Sequence, residues 1–373
     1  MRALSEIRVD IDATDSALKE LFLKRMELVD QVAEYKRENM SPVRHKEREA
    51  QIIKKRTEGE EKFVPQIAEF FEQMIEISCD YQEGVLGIKG EAFKYTPMTE
   101  KEFQNGVKKV CHQGIKGSYS YEQSVKYFKD AEIMSVHAFE DVFKAVSEGE
   151  ADCGVVPIEN ITEGSVTQVF DLLNKYEVYI AHSECLEIVH CLLGSGTLED
   201  IGAVSSHPQG LSQCSDFIYK NKYKTVQSLN TAVAARDVAK MGMKGVGAIC
   251  SEINAELYGL NVLARNIANR NDNKTRFIFI TKNPVILENA NNISLSFKLK
   301  NTSGTLSKVL NNFSKHGYNL TKIESRPIMG KEWEYLFYID IDANLGDNRT
   351  AEYFSSIGYL FDEYRILGNY KKD

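Results

Sequence analysis

Arginine appears where an apolar residue belongs. In the row Leu4, Ile11, Leu18, Arg25, Val32, spaced seven apart, one member carries a guanidinium. A charge on an apolar seam is costly unless an anion meets it. Arg8 and Lys36 flank the same seam, Ser78 takes a seam position further along, and Gln82 follows it by one helical turn. Arg48 and Glu49 lie on the segment between. Cations converging on a dry interior describe a pocket for a small polyanion. The alternative is structural: Arg25 pairs with a carboxylate inside a bundle, or reaches solvent along its stem.

A second set of polar residues lies further on. Glu159 and Asn160 close the apolar run Cys153–Ile158, and the end of a strand is where polar groups can face a cleft. Ser118, Ser120 and Thr231 are of the types that cap helices. Thr275, on propensity alone, is a β-branched strand residue. Gly304 sits at a strand-to-helix turn, where a missing side chain lets a ligand's charged end approach the backbone. No Gly-rich phosphate loop follows the first strand, so no nucleotide cofactor is expected; no metal is expected either.

These residues need elements to position them. Residues 4–89 read as helix, with apolar residues at heptad spacing (Leu4, Ile7, Ile11, Leu18, Leu21, Leu28, Val32, Tyr35) that predict a bundle or coiled-coil packing. Ser41-Pro42 predicts the start of a second helix, Gly59 and Pro65 bracket a third, and Gly84, Gly87 and Gly90 end the region. A polar linker to about Asn105 follows. From Gly106 short apolar strands alternate with amphipathic helices, the α/β pattern, as far as Pro284. The last block, from Asn291, reads β-α-β-β-α-β, the ferredoxin-like order.

The 373 residues are too many for one core. A net charge of -8 argues against a nucleic-acid partner while leaving room for a local cationic pocket. No run approaches a membrane span, and the charged first ten residues are unlike a secretory signal. The seven cysteines contain no C-x-x-C pair, so neither a disulfide framework nor a zinc site is expected, and a reducing cytoplasm suits them.

Three families are resembled in turn. The segments IRVDIDATD, LKRMELVDQVAEYK, SPVRHKERE and IEISCDYQ resemble the all-helical chorismate mutases. GSYS (117–120), VVPIEN (155–160), SHPQ (206–209), NT (230–231), LYGLNVL (257–263) and KTRF (274–277) resemble the prephenate dehydratases. SGTLSKVL (303–310) and ESRP (324–327) resemble the ACT regulatory domain attached to such dehydratases. The resemblance implies an all-α mutase domain (1–90), a bilobal, periplasmic-binding-protein-like α/β dehydratase domain (106–283) and a ferredoxin-like ACT domain (290–373). It implies a homo-oligomer, dimer or tetramer, that turns chorismate into prephenate and then phenylpyruvate under phenylalanine control.

The same resemblance implies roles. Arg8, Arg25 and Ser78 hold carboxylates, Lys36 and Gln82 donate to the ether oxygen, and Arg48 and Glu49 grip the ring hydroxyl region. Arg8 and Arg25 lie ~26 Å apart on one helix, so Arg8 is expected to enter a partner's pocket. His45 stands where the family often carries aspartate. Thr275 is the expected dehydratase acid, with Glu159, Asn160, Ser206, Gln213, Thr231 and Arg276 around the substrate; His207 is expected to be structural. Gly304, Thr305, Leu306, Glu324, Ser325 and Arg326 form the expected phenylalanine site.

Overall fold

The computed structural model describes residues 2–86, 92–328, 331 and 333–372. Gly87 and Gly90, expected to end the helical region, lie outside them. The chain forms two compact units: residues 1–92 with 351–362, and residues 93–350 with 363–373.

The first unit is built on α1 (Leu4–Asn39), α2 (Lys46–Thr57) and α3 (Val64–Leu86). α1 runs 36 residues because neither Gly nor Pro interrupts it. Glu6 accepts from the Ala3 N–H at its start, and Lys36 and Arg37 lie in its last turn, where cations favour the helix dipole. The heptad seam is helical as expected but is not covered by the described residues of this chain. Leu21 (65% exposed), Leu28 (56%) and Tyr35 (64%) face outward, and in α1 only Val29 and Ala33 are buried. The reason is length: α3 has 23 residues and α2 only 12, too few to cover both sides of α1.

The second helix starts four residues later than Ser41-Pro42 predicts, at Lys46 behind an N-cap at His45. Two side chains hold the intervening segment in a non-helical form. Lys36 Nζ donates to the Val43 carbonyl at 2.6 Å, and Arg44 reaches Glu76, Asp80 and Glu83 on α3. Burial opposes the Arg44 charge, but the hydrogen bonds to Glu76 and Glu83 outweigh it and hold its pKa above the ordinary value.

The expected linker holds two elements of its own, β1 (Thr96–Met98) and α4 (Glu100–Gly106), the latter begun by a Thr99/Glu102 capping box. A first α/β lobe follows: β2 (Lys109–Gln113), α5 (Tyr119–Tyr127), β3 (Glu132–Val136), α6 (Phe139–Glu148), β4 (Cys153–Asn160), β5 (Gly164–Ser165), α7 (Thr167–Lys175) and β6 (Tyr179–Glu187). The chain crosses to a second lobe with β7 (Cys191–Gly194), β8 (Ala203–Ser206), α8 (Pro208–Gln213), α9 (Ser215–Lys220), β9 (Lys224–Gln227), α10 (Thr231–Met241), β10 (Val246–Cys250), α11 (Ile253–Tyr258) and β11 (Asn261–Ala264). It returns through β12 (Lys274–Thr281) and β13 (Val285–Leu287). The two crossovers bond to each other: Ile188 N–H to the Asn273 carbonyl at 2.9 Å, and Ile267 N–H to the His190 carbonyl at 3.1 Å. This is the expected bilobal α/β arrangement, with a five-stranded sheet, β11-β7-β10-β8-β9, in the second lobe.

The C-terminal block is β14 (Asn292–Lys298), α12 (Thr305–Lys315), β15 (Asn319–Pro327), β16 (Tyr335–Asp342), α13 (Asn348–Ser356) and β17 (Glu363–Tyr370). Its strands lie in the ferredoxin-like order β15-β16-β14-β17. They do not form a separate sheet. β17 lies parallel to β6, pairing Gly368 with Ile180, so the block continues the first lobe's sheet β6-β12-β4-β2-β3. A Cβ at residue 368 would stand 2.2 Å from the Ile180 carbonyl oxygen, so only glycine allows this approach. The two also share a core, in which Leu336, Tyr338, Leu367 and Tyr370 pack with Ile158, Phe170, Leu173 and Ile278.

Candidate active sites

β12 is central and covered on both faces. Successive residues of a strand point to opposite sides, so Phe277 and Phe279 enter one core while Ile278 and Ile280 enter the other. The same alternation separates Thr275 from Arg276. Thr275, 8% exposed, faces a cavity of about 510 Å³ between the lobes, together with Asn160, His190, Gln213, Thr231 and Asn273.

The hydrogen bonds fix the orientation of the Thr275 hydroxyl. Asn160 Oδ1 accepts from the backbone N–H groups of Thr162 (2.9 Å) and Glu163 (3.1 Å), which identifies it as the carbonyl end of the amide. Asn160 Nδ2 then donates to Thr275 Oγ1 at 2.8 Å and to Asn273 Oδ1 at 2.9 Å. With its oxygen occupied as an acceptor, the hydroxyl keeps its own proton for a group in the cavity. Such a donor is also made more acidic by the hydrogen bond it receives.

Several helices begin at this cavity: α5 behind Ser118, α7 behind Val166 and α10 behind Asn230, with the first turn of α8 beside them. The caps Ser118 and Asn230 each accept one N–H, from Tyr121 and Val233, leaving first-turn N–H groups to face the cavity. Among the described residues no Lys or Arg lines it, and Glu163 is its one charged lining residue. Carboxylates placed here would be held by helix starts and neutral donors rather than by side-chain cations.

Glu159 and Arg276 are not part of this arrangement. They lie on the reverse face of the sheet, in a second cavity of about 570 Å³ with Lys322 and Lys372. Glu159 pairs there with Arg276 (3.4 Å) and with Lys322 of β15 (3.3 Å). Both residues, expected around the dehydratase substrate, thus lie on the opposite face of the sheet from Thr275. A bulge pairs Arg276 with Glu159 but Phe277 with Pro157, which turns Ile158 and Glu159 to the same side. Ser206 also stays out of the cavity: it is fully buried and its Oγ donates to the Ile249 carbonyl at 2.7 Å. His207, set aside in the sequence, lines the cavity and caps α8, accepting from Gln209 N–H at 3.3 Å.

Sequence reasoning missed Tyr119, Thr162, His190 and Asn273. His190 carried a usable signal, a polar residue inside the apolar run Ile188-Val189-His190-Cys191-Leu192.

In the helical unit, Arg25 of α1 donates to Ser78 Oγ and to the Met74 carbonyl, and burial pushes its pKa below the ordinary value. Gln82 Nε2 donates to the Ser78 carbonyl at 3.0 Å, while its buried Oε1 has no hydrogen-bond partner among the described residues. Arg25, Ser78 and Gln82 are thus brought together. Lys36 is bound to Val43, Glu49 Oε1 accepts from the His45 N–H at 3.1 Å, and Arg48 and Arg8 are exposed.

In the C-terminal block Gly304 is the N-cap of α12 at φ 82°, with Thr305 and Leu306 in the first turn. On β15, Glu324 and Arg326 turn toward the first lobe. Glu324 accepts from Ser165 Oγ at 2.7 Å, and Arg326 pairs with Asp171 at 3.2 Å, while Ser325 is exposed. Ser165 also lines the Thr275 cavity.

Comparison with known proteins follows the same division. A model of chorismate mutase type II matches residues 7–83 and one of prephenate dehydratase residues 110–285. The bifunctional chorismate mutase/prephenate dehydratase of Aquifex aeolicus (strain VF5) is 31% identical over 382 positions, covering 100% of this chain and 99% of its own. That of Escherichia coli (strain K12) is 33% identical, covering 99% and 96%. The solved prephenate dehydratase of Arthrobacter aurescens in complex with L-Phe aligns over 71% of this chain and 90% of its own, at 28% identity and a TM-score of 0.65. Among the described residues no helix is long and apolar enough to cross a membrane. Related end to end at this level, the chain belongs to the bifunctional chorismate mutase/prephenate dehydratases.

Proposed function

We propose that Thr275 is the proton donor of the dehydratase reaction and that the surrounding helix starts hold the two carboxylates of prephenate. The observation that carries this reading is the donor arrangement at Thr275, with Asn160 bonded to its oxygen and its proton left for the cavity. As the substrate's carboxylate leaves as carbon dioxide, its electron pair forms the aromatic ring and expels the ring hydroxyl. That hydroxyl takes a proton from Thr275 and departs as water, and solvent restores the proton. Phenylpyruvate is the product. Gln213 and Thr231 serve as substrate contacts in the cavity. Glu159 and Arg276 serve the contact with β15.

In the helical unit, Arg25 and Ser78 hold a chorismate carboxylate. Lys36 and Gln82 donate to the ether oxygen as charge grows on it, and Arg48 and Glu49 bind near the ring hydroxyl. The rearrangement needs no nucleophile or metal. The exposed apolar seam of α1 supports a homodimer in which Arg8 completes the partner's pocket, since along one α1 it is ~26 Å from Arg25.

Phenylalanine binds the C-terminal block around Gly304, Thr305, Leu306 and the strand Glu324–Arg326. The bonds from Glu324 to Ser165 and from Arg326 to Asp171 give such a ligand a direct route to the wall of the cleft. Seven free cysteines support a reducing, cytoplasmic setting. The test is to incubate the purified protein with chorismate and follow prephenate and phenylpyruvate together, with and without phenylalanine. Consumption of chorismate with no phenylpyruvate would overturn the Thr275 reading.

A further inference from the structure

His190 lies in the crossover from the first lobe to the second, 2% exposed, and both nitrogens of its ring are engaged. Nε2 is 2.8 Å from Gln213 Oε1 in the second lobe. Nδ1 is 3.0 Å from the hydroxyl of Tyr119 in the first. The bonds select one tautomer. Gln213 Oε1 also receives Asn273 Nδ2 at 3.4 Å, and Gln213 Nε2 faces Thr162 Oγ1 at 3.4 Å, so Oε1 is the acceptor end of that amide. The imidazole must then donate from Nε2, which leaves Nδ1 as an acceptor for the Tyr119 hydroxyl, a group that also reaches the Val189 carbonyl at 3.3 Å. Burial favours the same neutral ring by lowering the His190 pKa.

From Gln213 the bonding continues to Thr275. Asn273 joins Gln213 to Asn160, and Asn160 Nδ2 donates to both Asn273 Oδ1 and Thr275 Oγ1. Each amide in this line is oriented by its neighbour, and no member is free to turn without breaking a bond. The line begins at a ring set between the two lobes and ends on the hydroxyl assigned as the acid.

We infer that His190, held by Tyr119, is a positioning residue for the dehydratase reaction, fixing the Gln213–Asn273–Asn160 amides that orient the Thr275 hydroxyl. The inference rests on the reading of Thr275 as proton donor. With both ring nitrogens committed to protein partners, His190 has no proton to give the substrate. Its effect belongs mainly in turnover, with any change in substrate affinity limited to its hold on Gln213.

The test uses the full chain with prephenate supplied directly. His190→Phe keeps a ring and removes both nitrogens, and Tyr119→Phe removes only the hydroxyl that faces Nδ1. The expected result is a fall in kcat of about tenfold or more for His190→Phe and a few-fold for Tyr119→Phe, with KM within about threefold. His190→Gln, which can still donate toward Gln213, should recover part of the loss. In the Thr275→Ser background, whose hydroxyl lacks the methyl group that limits its rotation, His190→Phe should cost less than in the parent. Interacting sites are non-additive in this way. Unchanged kcat, a loss confined to KM, or fully multiplicative effects with Thr275→Ser would each overturn the inference. Should His190→Phe fail to fold, Tyr119→Phe decides by the same criteria. An active Thr275→Ala enzyme would be a different failure, since it removes the acid assignment itself.

Discussion

Thr275 and Arg276 are adjacent in the chain and open onto different cavities, Thr275 between the lobes and Arg276 toward β15. One strand thus presents a candidate acid on one face and a link to the C-terminal block on the other.

The two positions should separate by substitution. Thr275→Ala should remove dehydratase activity on prephenate by at least about a hundredfold and leave chorismate consumption intact, with Thr275→Ser retaining part. Arg276→Gln should keep the KM for prephenate within about threefold while weakening phenylalanine inhibition several-fold, because it breaks the pair with Glu159. Steady-state kinetics with and without phenylalanine measures both. A large rise in KM for Arg276→Gln would return that residue to the substrate site.

Arg25→Ala should abolish mutase turnover while sparing the dehydratase, since it removes the cation at Ser78. Arg8→Ala should do the same by acting in the partner's pocket. Mixing the two inactive proteins should restore activity in the fraction of dimers where one pocket keeps both arginines. No recovery after subunit exchange verified by mass spectrometry would exclude a shared site.

None of the described residues lies within 4 Å of where a Cβ would stand on Gly304, yet its φ of 82° is one that L residues adopt at a cost. Even Gly304→Ala should therefore disturb the start of α12 by about 1–2 kcal/mol through the backbone alone. Calorimetry should show phenylalanine binding weakened about tenfold, with uninhibited turnover unchanged. Wild-type affinity in Gly304→Ala would remove this turn from the effector site.

Burial lowers the pKa of both His112 and His190 below 6.5. Between 6.5 and those lower folded values the unfolded chain binds protons that the folded chain does not, so stability rises with pH across that window. Thermal unfolding of the dehydratase unit should accordingly shift to lower temperature as the pH falls below 6.5, before most carboxylates titrate. His112→Asn should flatten part of the slope. A Tm constant from pH 7.5 to 5.5 would contradict the burial of these rings as neutral species.

Much of this was legible in the sequence, and the errors have physical causes. The heptads of α1 announced a helix, but periodicity says which residues are apolar and not which chain covers them. The Thr99/Glu102 capping box was visible and passed over in a polar stretch. That Thr275 and Arg276 face opposite sides of the sheet follows from strand alternation, which sends neighbours to opposite faces. Glu159 could not be placed that way, because the bulge opposite Arg276 and Phe277 shifts the phase and leaves no sign in residue types. His190 escaped because its partners Tyr119 and Gln213 are 71 and 23 positions away, and only the fold gathers them.

The pairing of Gly368 with Ile180 has a consequence for how control can be dissected or lost. A chain cut before Asn291 would not shed an appendage. It would bare one margin of β6 and uncover the apolar surface now sealed by Leu336, Tyr338 and Leu367, and an unsealed strand margin beside apolar surface recruits other chains. Such a fragment should sediment as aggregates before its insensitivity to phenylalanine can be read. Release from feedback is therefore more accessible through single substitutions on β15 or α12 than through truncation, in the laboratory and under selection alike.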